Sequence, residues 1–538
     1  MQMKGRTAIC LAAIMLLSGC NGTAGSSKPG QAAAESVASE NGYVTTYGEK
    51  TFDNVTITVE LFDRSTAPAG STITENRWTN YIKEEMNKVG INVEFIAVPR
   101  NEETTKIQTM MASGTAPDVI MTYDPTLAES YYVQGGTFDL SPYIDGDNQA
   151  KNLKAYVTDQ VLDLGRNTEG ELWAIPARRS ITARQNVFIR KDWLDKLGME
   201  IPTTTDELYN VLKAFKNNNP DGRTDVVPFY STYMKSDWTT WLSSAFMQTL
   251  GDGAKAGVSY KMSAYLDPGY KDYLQYMNKL YNEDLLDPEF YTSTDQDGTL
   301  KEKFVNGQLG VGEYSANGNV DALRGGLLQN LRALEPEAEM VSIPPLKNVK
   351  DGKQYNPQYS LCGAYNIVPK TCKNPEAVVT YLDWLSTREG GFAIFHGFEG
   401  EHYNLADGVP VVINSDFNAK DKDWIRHDLF LVGNQGYYAT EEDFMKATSK
   451  EIPGYEEYVM DNYENAIAGE LVYDPAYTSP TQSENSAKIL LADDEYLVKC
   501  MTCAPEDFDK IYDEYMEALK EAGAEEVKTE REEYFRNK

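Results

Sequence analysis

The chain is poor in the residues on which most enzyme chemistry depends. Six cysteines and three histidines are spread over 538 residues. Cys362 and Cys372 flank GAYNIVPKT, which reads as a strand. Ten extended residues hold them roughly 30 Å apart, too far for a disulfide. Cys500 and Cys503 form a C-x-x-C, but in a helical C-terminus and not in the βαβ setting of a redox motif. His396, Glu399 and His402 have metal-like spacing, yet Gly397 and Gly400 break the helix that a zincin site requires. There is no G-x-S-x-G elbow and no G-x-x-x-x-G-K-[ST] loop. GDGAKAG (251–257) spaces its glycines too widely for a dinucleotide turn. No carboxylate pair stands out for glycoside hydrolysis, and no internal repeat is present. A surplus of basic residues is also missing. With 50 Lys+Arg against 82 Asp+Glu, the net charge of −32 repels nucleic acid and anionic lipid headgroups.

Long apolar runs are absent too. The longest, Ile9 to Leu17, is too short to cross a bilayer, which takes roughly 20 apolar residues. It follows Lys4 and Arg6 and ends in small residues, as a secretory signal does. Leu17-Ser18-Gly19-Cys20 resembles the lipobox of bacterial lipoproteins. That resemblance implies cleavage of signal peptide 1–19 and diacylation of Cys20, with attachment to the outer face of the cell membrane. The Gly/Ser/Ala-rich stretch 20–50 is then a flexible tether. Two acyl chains suffice for stable anchoring.

The first half of the remaining chain alternates between strand and helix patterns. VTITVELF (55–62), INVEFIAV (91–98) and PDVIMTY (117–123) read as strands. The helices between them carry Trp78, Tyr81, Ile82 and Val89, then Ile107, Met110 and Met111, and stop at Gly90 and Gly114. This order predicts an α/β fold with a doubly wound parallel sheet. Ligands bind beyond the carboxyl ends of such strands, which present Asp63, Arg64, Tyr123 and Asp124. Further on, Thr204 and Glu207 make a capping box, followed by the apolar stripe Leu208, Val211, Leu212 and Phe215. The stretch 304–319 reads as turn-rich, 363–369 as a strand and 374–386 as a helix.

Seven segments, MASGTAPDVIM, TEGELWAIP, VFIRKDWLDKLGMEIPTTTDEL, LYNEDLLDPEF, FVNGQLGVGEY, CKNPEAVVTYLDWLSTREG and GFEGEHYNLADG, run in order from about 55 to 410. In that order, behind a lipobox, they resemble the extracellular solute-binding lipoproteins of ABC importers, in the long Gram-positive branch of the sugar-binding class. The resemblance implies a periplasmic-binding-protein-like fold, two α/β lobes joined by a hinge with the ligand cleft between them. It implies a monomeric, non-enzymatic receptor that passes a carbohydrate, an oligosaccharide, to a permease. The expected crossings are near 175–185 and 343–355. They give lobe one at 51–180, returning at about 350–400, and lobe two at 185–345. The C-terminal segment is 401–538, its last helices packed on lobe two. The alternatives are a receptor for a peptide or charged small molecule, and a surface-anchored carbohydrate-active hydrolase.

The resemblance also nominates residues. Tyr314 and Trp238 stand where sugar-binding relatives place stacking aromatics, and Trp241 belongs to the core. Arg178, Arg179 and Arg184 line the first crossing, where they either meet an acidic ligand or pair with local carboxylates. NNNPDGRTDVVP (217–228) resembles a calcium loop of related lipoproteins, with Asn217, Asn219, Asp221, the Arg223 carbonyl and Asp225 as ligands around Gly222. Asn217 and Val226 replace acids of the pattern and leave two carboxylates. The loop therefore reads either as a weak structural calcium site or as a metal-free turn. No other cofactor is implied.

Overall fold

The computed structural model describes residues 51–537, except 168, 180–181, 219, 233, 235–238, 260–263, 293–295, 316–326, 407, 434–439, 451–453, 473, 475–476 and 478. The signal, Cys20, the tether, Asn219 and Trp238 lie outside the described residues. Among the described residues, no helix is long and apolar enough to cross a membrane.

The first sheet begins with β1 (Val55–Asp63) and β2 (Ile91–Pro99), parallel in register from Val55 opposite Ile91 to Asp63 opposite Pro99. Both faces of β1 are covered, which is why it reads as a nearly unbroken apolar run. Helix α1 (Arg77–Asn87) connects them. Its start is fixed by Asn76, whose side chain accepts from the Trp78 and Thr79 backbone, while the Thr79 hydroxyl accepts from Asn76 N–H. Gly90 turns the chain into β2 at φ 78°, and a Cβ there would meet the Phe52 carbonyl oxygen at 1.9 Å. Helix α2 (Glu103–Ser113) follows β2 and ends at Gly114. Val119 then exchanges backbone bonds with Thr58 and Glu60 of β1.

The parallel pattern stops there. β3 (Ile120–Thr122) and β4 (Ile175–Arg178) are not neighbours. A strand from much later in the chain, Cys362–Ile367, lies between them, antiparallel to both. The sheet is therefore mixed, because a strand arriving from the other lobe enters from the opposite end.

The second sheet has the order β6-β7-β5-β8, with β5 (Gln185–Arg190), β6 (Val227–Ser231), β7 (Leu309–Ser315) and β8 (Met340–Ile343). Strand β7 corrects the turn-rich reading of 304–319. Its glycines mark close approach, not turns. A Cβ on Gly310 would come within 2.6 Å of the Phe215 ring and 2.9 Å of the Pro228 carbonyl oxygen. The Thr204–Glu207 capping box forms as the sequence predicts, and Leu208, Val211, Leu212 and Phe215 are buried.

Two large apolar cores result, one around each sheet. The first takes residues between Ile57 and Ala177 and between Ala364 and Val432. The second takes those between Ala183 and Leu346, with Tyr355 and side chains from Met445 to Val527. The chain therefore passes between cores at 177–183, 355–364 and 432–445, and the segment after 401 is shared between them. Trp241 is buried in the second core, as expected.

At the first two crossings the strands run side by side. Arg179 N–H donates to the Leu361 carbonyl at 2.7 Å, and Tyr359 N–H donates to the Thr182 carbonyl at 2.8 Å. The third crossing joins through Arg178 N–H to the Val432 carbonyl at 2.9 Å, and through Glu441, which accepts from Thr182 N–H at 3.0 Å.

Candidate functional site

The carboxyl ends of β1, β2 and β4 and the end of β3 converge beside these crossings, and the side chains there form an arginine–aromatic platform. Phe62 and Tyr123 are stacked, their ring centroids 5.8 Å apart. The Arg100 guanidinium lies over both rings, 4.7 Å from the Tyr123 centroid and 5.0 Å from that of Phe62. Tyr123 nonetheless stays 38% exposed, rare for a large aromatic this close to a core. Burial pushes its phenol pKa up, partly opposed by Arg64 and Arg100, so it remains a neutral hydrogen-bonding group on a flat face.

Each cation around it is fixed differently. Arg64 donates to both Asp428 oxygens, with Nε at 3.1 and 3.0 Å and Nη2 at 2.9 Å. Arg100 Nη1 donates to Glu103 at 2.6 Å. Arg178 Nη1 donates to the Tyr156 carbonyl at 3.1 Å and lies over the Tyr156 ring. Arg184 Nη1 donates to the Thr239 carbonyl at 2.9 Å. The Arg178 and Arg184 side chains thus each reach a backbone carbonyl beside the first crossing. Arg179 lies over the Tyr359 ring at 4.3 Å.

The predicted acids do local work. Asp63 accepts from Ser65 N–H at 2.8 Å. Asp124 caps helix α3 (Pro125–Val133), one oxygen accepting from Thr126 and Leu127 N–H at 2.9 and 3.2 Å. The structure thus brings Arg64, Tyr123 and Arg178 to one region and sets Asp63 and Asp124 at its edge.

Tyr314 requires correction. It sits on β7 opposite Asn186, only 2% exposed, within the second core. The strand alternation that the glycines concealed turns its ring inward. Arg100, Tyr359 and Asp428 are platform residues that sequence reasoning missed. Arg100 was within reach, because it directly follows β2 and the strand-end rule applies to every strand of the sheet.

The loop at 217–225 does not fit a metal ion. Asp221 is bonded by Arg190 at 2.9 Å and also by Lys196 and the Trp193 indole. Asp225 is held by Arg223 Nε and Nη2, each at 3.1 Å, and by Gln308. Asn217 lies in the last turn of a helix, exposed. Burial disfavours the charge on Asp221, yet Lys196, Trp193 and Arg190 together hold its pKa below the usual value; the Arg223 contact does the same for Asp225. Both carboxylates are already saturated by N–H donors, which a divalent cation would have to displace. Among the described residues, no group of three or more His, Cys, Asp or Glu is placed to hold a metal. His402 is likewise structural. It is fully buried, with Nδ1 accepting from Phe398 N–H at 3.0 Å and Nε2 bonded to Asp421 at 2.9 Å.

A family model described as bacterial extracellular solute-binding protein matches residues 70–391. The chain belongs to that family. Among curated solute-binding relatives, the polygalacturonan/rhamnogalacturonan-binding protein YtcQ of Bacillus subtilis is 25% identical over 82% of this chain and 88% of its own length. Lipoprotein LipO of the same organism is 26% identical over 60% of this chain, which spans 63% of that relative's length. A solved solute-binding protein from Bifidobacterium longum infantis, described as binding HMO and associated with an ABC transporter, superposes with a TM-score of 0.65. It is 21% identical and covers 90% of this chain and 99% of its own. The likeness shows a shared two-lobed fold.

Proposed function

We propose that this solute-binding protein is a lipid-anchored receptor that captures a carbohydrate between its lobes and delivers it to an ABC permease. Cys20 carries the acyl chains, 20–50 is the tether, and the lobes meet at the crossings near 180 and 360. The observation that carries the ligand reading is the exposed Tyr123 face, stacked on Phe62 and flanked by Arg64 and Arg100 at the strand ends. A sugar ring is apolar on its face and polar at its edge, and a flat aromatic among N–H donors matches both. The name of YtcQ, which this chain matches over most of its length, supports a saccharide. Arg64, Tyr123 and Arg178 are the contact residues of this reading, with Asp63 and Asp124 at the rim and Trp238 on the facing lobe.

The test is a thermal-shift and calorimetric screen of the purified protein against oligosaccharides, peptides and small acids, since ligand raises apparent stability by mass action. Saccharide binding without product formation is expected. Sustained cleavage of a bound glycan would establish the hydrolase instead, and peptide-only binding would establish the peptide receptor. For the anchor, Cys20→Ala is expected to release the protein from membranes while leaving its melting curve unchanged. Retention through detergent-free washes would refute lipidation at Cys20.

A further inference from the structure

Arg179 differs from Arg64 and Arg100, the carboxylate-paired cations of the platform. Its backbone is fixed at the first crossing by the bond to Leu361, and its guanidinium lies 4.3 Å over the Tyr359 ring. The side chain is half-buried, and its Nε is buried with no hydrogen-bond partner. No described carboxylate pairs with it. The titratable groups that act on it are Tyr359, Cys362 and Tyr123, and burial pushes its pKa down. Burial pushes the Cys362 thiol up to about 12 and the Tyr123 phenol up as well, so neither is an anion at neutral pH.

That is an anomaly in a chain with 82 Asp+Glu against 50 Lys+Arg. Arg64 and Arg100, its neighbours at the platform, are matched one for one by Asp428 and Glu103. Arg388 also has no carboxylate, but it lies exposed, where water solvates it. A guanidinium taken out of water with no counter-charge costs free energy that the fold does not recover. A binding partner can recover it by bringing the missing charge.

We propose that Arg179 receives a carboxylate of the bound saccharide, so that the receptor's ligand is a uronate-bearing oligosaccharide. The inference rests on the carbohydrate-receptor reading above and narrows it. Three features make a carboxylate the match. Tyr359 occupies the face of the guanidinium and leaves the in-plane N–H groups, which form the paired contact with a carboxylate. Arg179 itself carries one positive charge, which one monoanionic group balances. Tyr123, one of the groups acting on Arg179, offers its exposed ring face to the pyranose that carries that carboxylate.

The experiment is isothermal titration calorimetry of the purified full-length protein with four sets of probes. These are oligogalacturonides and oligoalginates, the methyl esters of both, neutral galacto- and fructo-oligosaccharides, and sulfated galactan fragments. The expected result is that an unesterified uronate oligomer binds best and that its methyl ester binds at least tenfold more weakly. Arg179→Gln is expected to reduce affinity for the acid to that for the ester while leaving the ester unaffected, the pattern of a direct pairwise contact. The comparison of acid with ester on the unmodified protein stands even if the variant folds poorly. Equal affinity for acid and ester, or a neutral oligosaccharide binding best, overturns the carboxylate assignment and leaves the carbohydrate receptor intact. Tighter binding of the sulfated fragments than of any uronate also overturns it. Binding of peptides and of no saccharide overturns both.

Discussion

Arg179, within the first crossing, and Arg190, eleven positions later, carry guanidinium groups that meet opposite surroundings. Arg190, at the end of β5, is 1% exposed and donates to Asp192, Asp221 and Glu335 at 2.7, 2.9 and 2.8 Å. Burial disfavours its charge, but those three carboxylates outweigh burial and raise its pKa. Arg179 is buried enough to be destabilised as a cation and, among the described residues, has no acid to repay that cost. The first arrangement holds helix, loop and strand together with the charge a metal ion would otherwise supply. The second rests on one aromatic ring, that of Tyr359. Within one acidic chain, a fully compensated cation marks structure and an uncompensated one marks a place reserved for a partner.

The largest effect should come from breaking the compensated side. Arg190→Met leaves three carboxylates facing one another, all of them in contact with the vacated Nη2 position. Removing one partner of a buried ion pair costs about 3–5 kcal/mol. Urea denaturation should show a loss of that size, and adding Asp221→Asn should restore part of it.

A second effect comes from a buried acid near the same crossing. Glu313 accepts from Trp241 N–H at 2.7 Å and from Ser231 at 2.9 Å, and among the described residues no cation lies within ion-pair distance. Burial raises its pKa from 4.5 to about 7, partly opposed by those two bonds and by Arg184. The folded state therefore keeps a proton that the unfolded chain releases above about pH 4.5. The corresponding stability is present below that pH and is lost as pH rises through about 7. At about 1.4 kcal/mol per unit, this is at most of order 3 kcal/mol. Glu313→Gln, which keeps both bonding partners, should flatten the decline in melting temperature between about pH 5 and 7.5. An unchanged slope would mean that Glu313 stays ionised.

Arg179→Gln should change stability by less than about 1 kcal/mol, and any change should be a gain, since an unpaired desolvated charge is removed. A loss comparable to that of Arg190→Met would show that Arg179 has a structural partner after all and would erase the contrast. The smallest effect is expected from calcium. Because Arg190, Lys196 and Arg223 already fill the space around Asp221 and Asp225, melting curves with calcium and with chelator should superimpose. A rise on adding calcium would reopen the loop as a metal site.

What was legible in the sequence follows from how far each signal travels along the chain. The β1–α1–β2–α2 unit and the Thr204–Glu207 cap were readable because their determinants sit within a few residues of each other. β7 was hidden because Gly310 and Gly312 look like turn residues until Phe215 and Pro228 are seen pressed against the first and Leu309 and Leu300 against the second. With β7 went the orientation of Tyr314. The calcium reading was spaced correctly as a loop, but the cation that answers Asp221 comes from Arg190, on another element, and Glu335 joins from farther still. At the platform, the strand-end rule reached Arg64 and Tyr123. It could not reveal that Arg64 is matched by Asp428, 364 residues away, or that Arg179 meets no carboxylate among the described residues. A missing partner is a property of the whole packing and leaves no trace in local sequence.

The strand Cys362–Ile367, wedged between β3 and β4, also governs the order in which the molecule can be assembled. Its partners lie nearly two hundred residues or more upstream, at Ile120–Thr122 and Ile175–Arg178. A chain that emerges from its N-terminus therefore offers the first two-thirds of one sheet with a gap at its centre, two open edges waiting for a strand not yet made. The second sheet needs only residues 185–343 and has no such gap. The sheet that begins first in sequence is therefore completed after the second one, and its long-range pairing slows it. Until that strand arrives, β3 and β4 are unpaired edges prone to bind the wrong partner. A single six-residue segment thus sets both the tempo of folding and the interval of greatest exposure to aggregation.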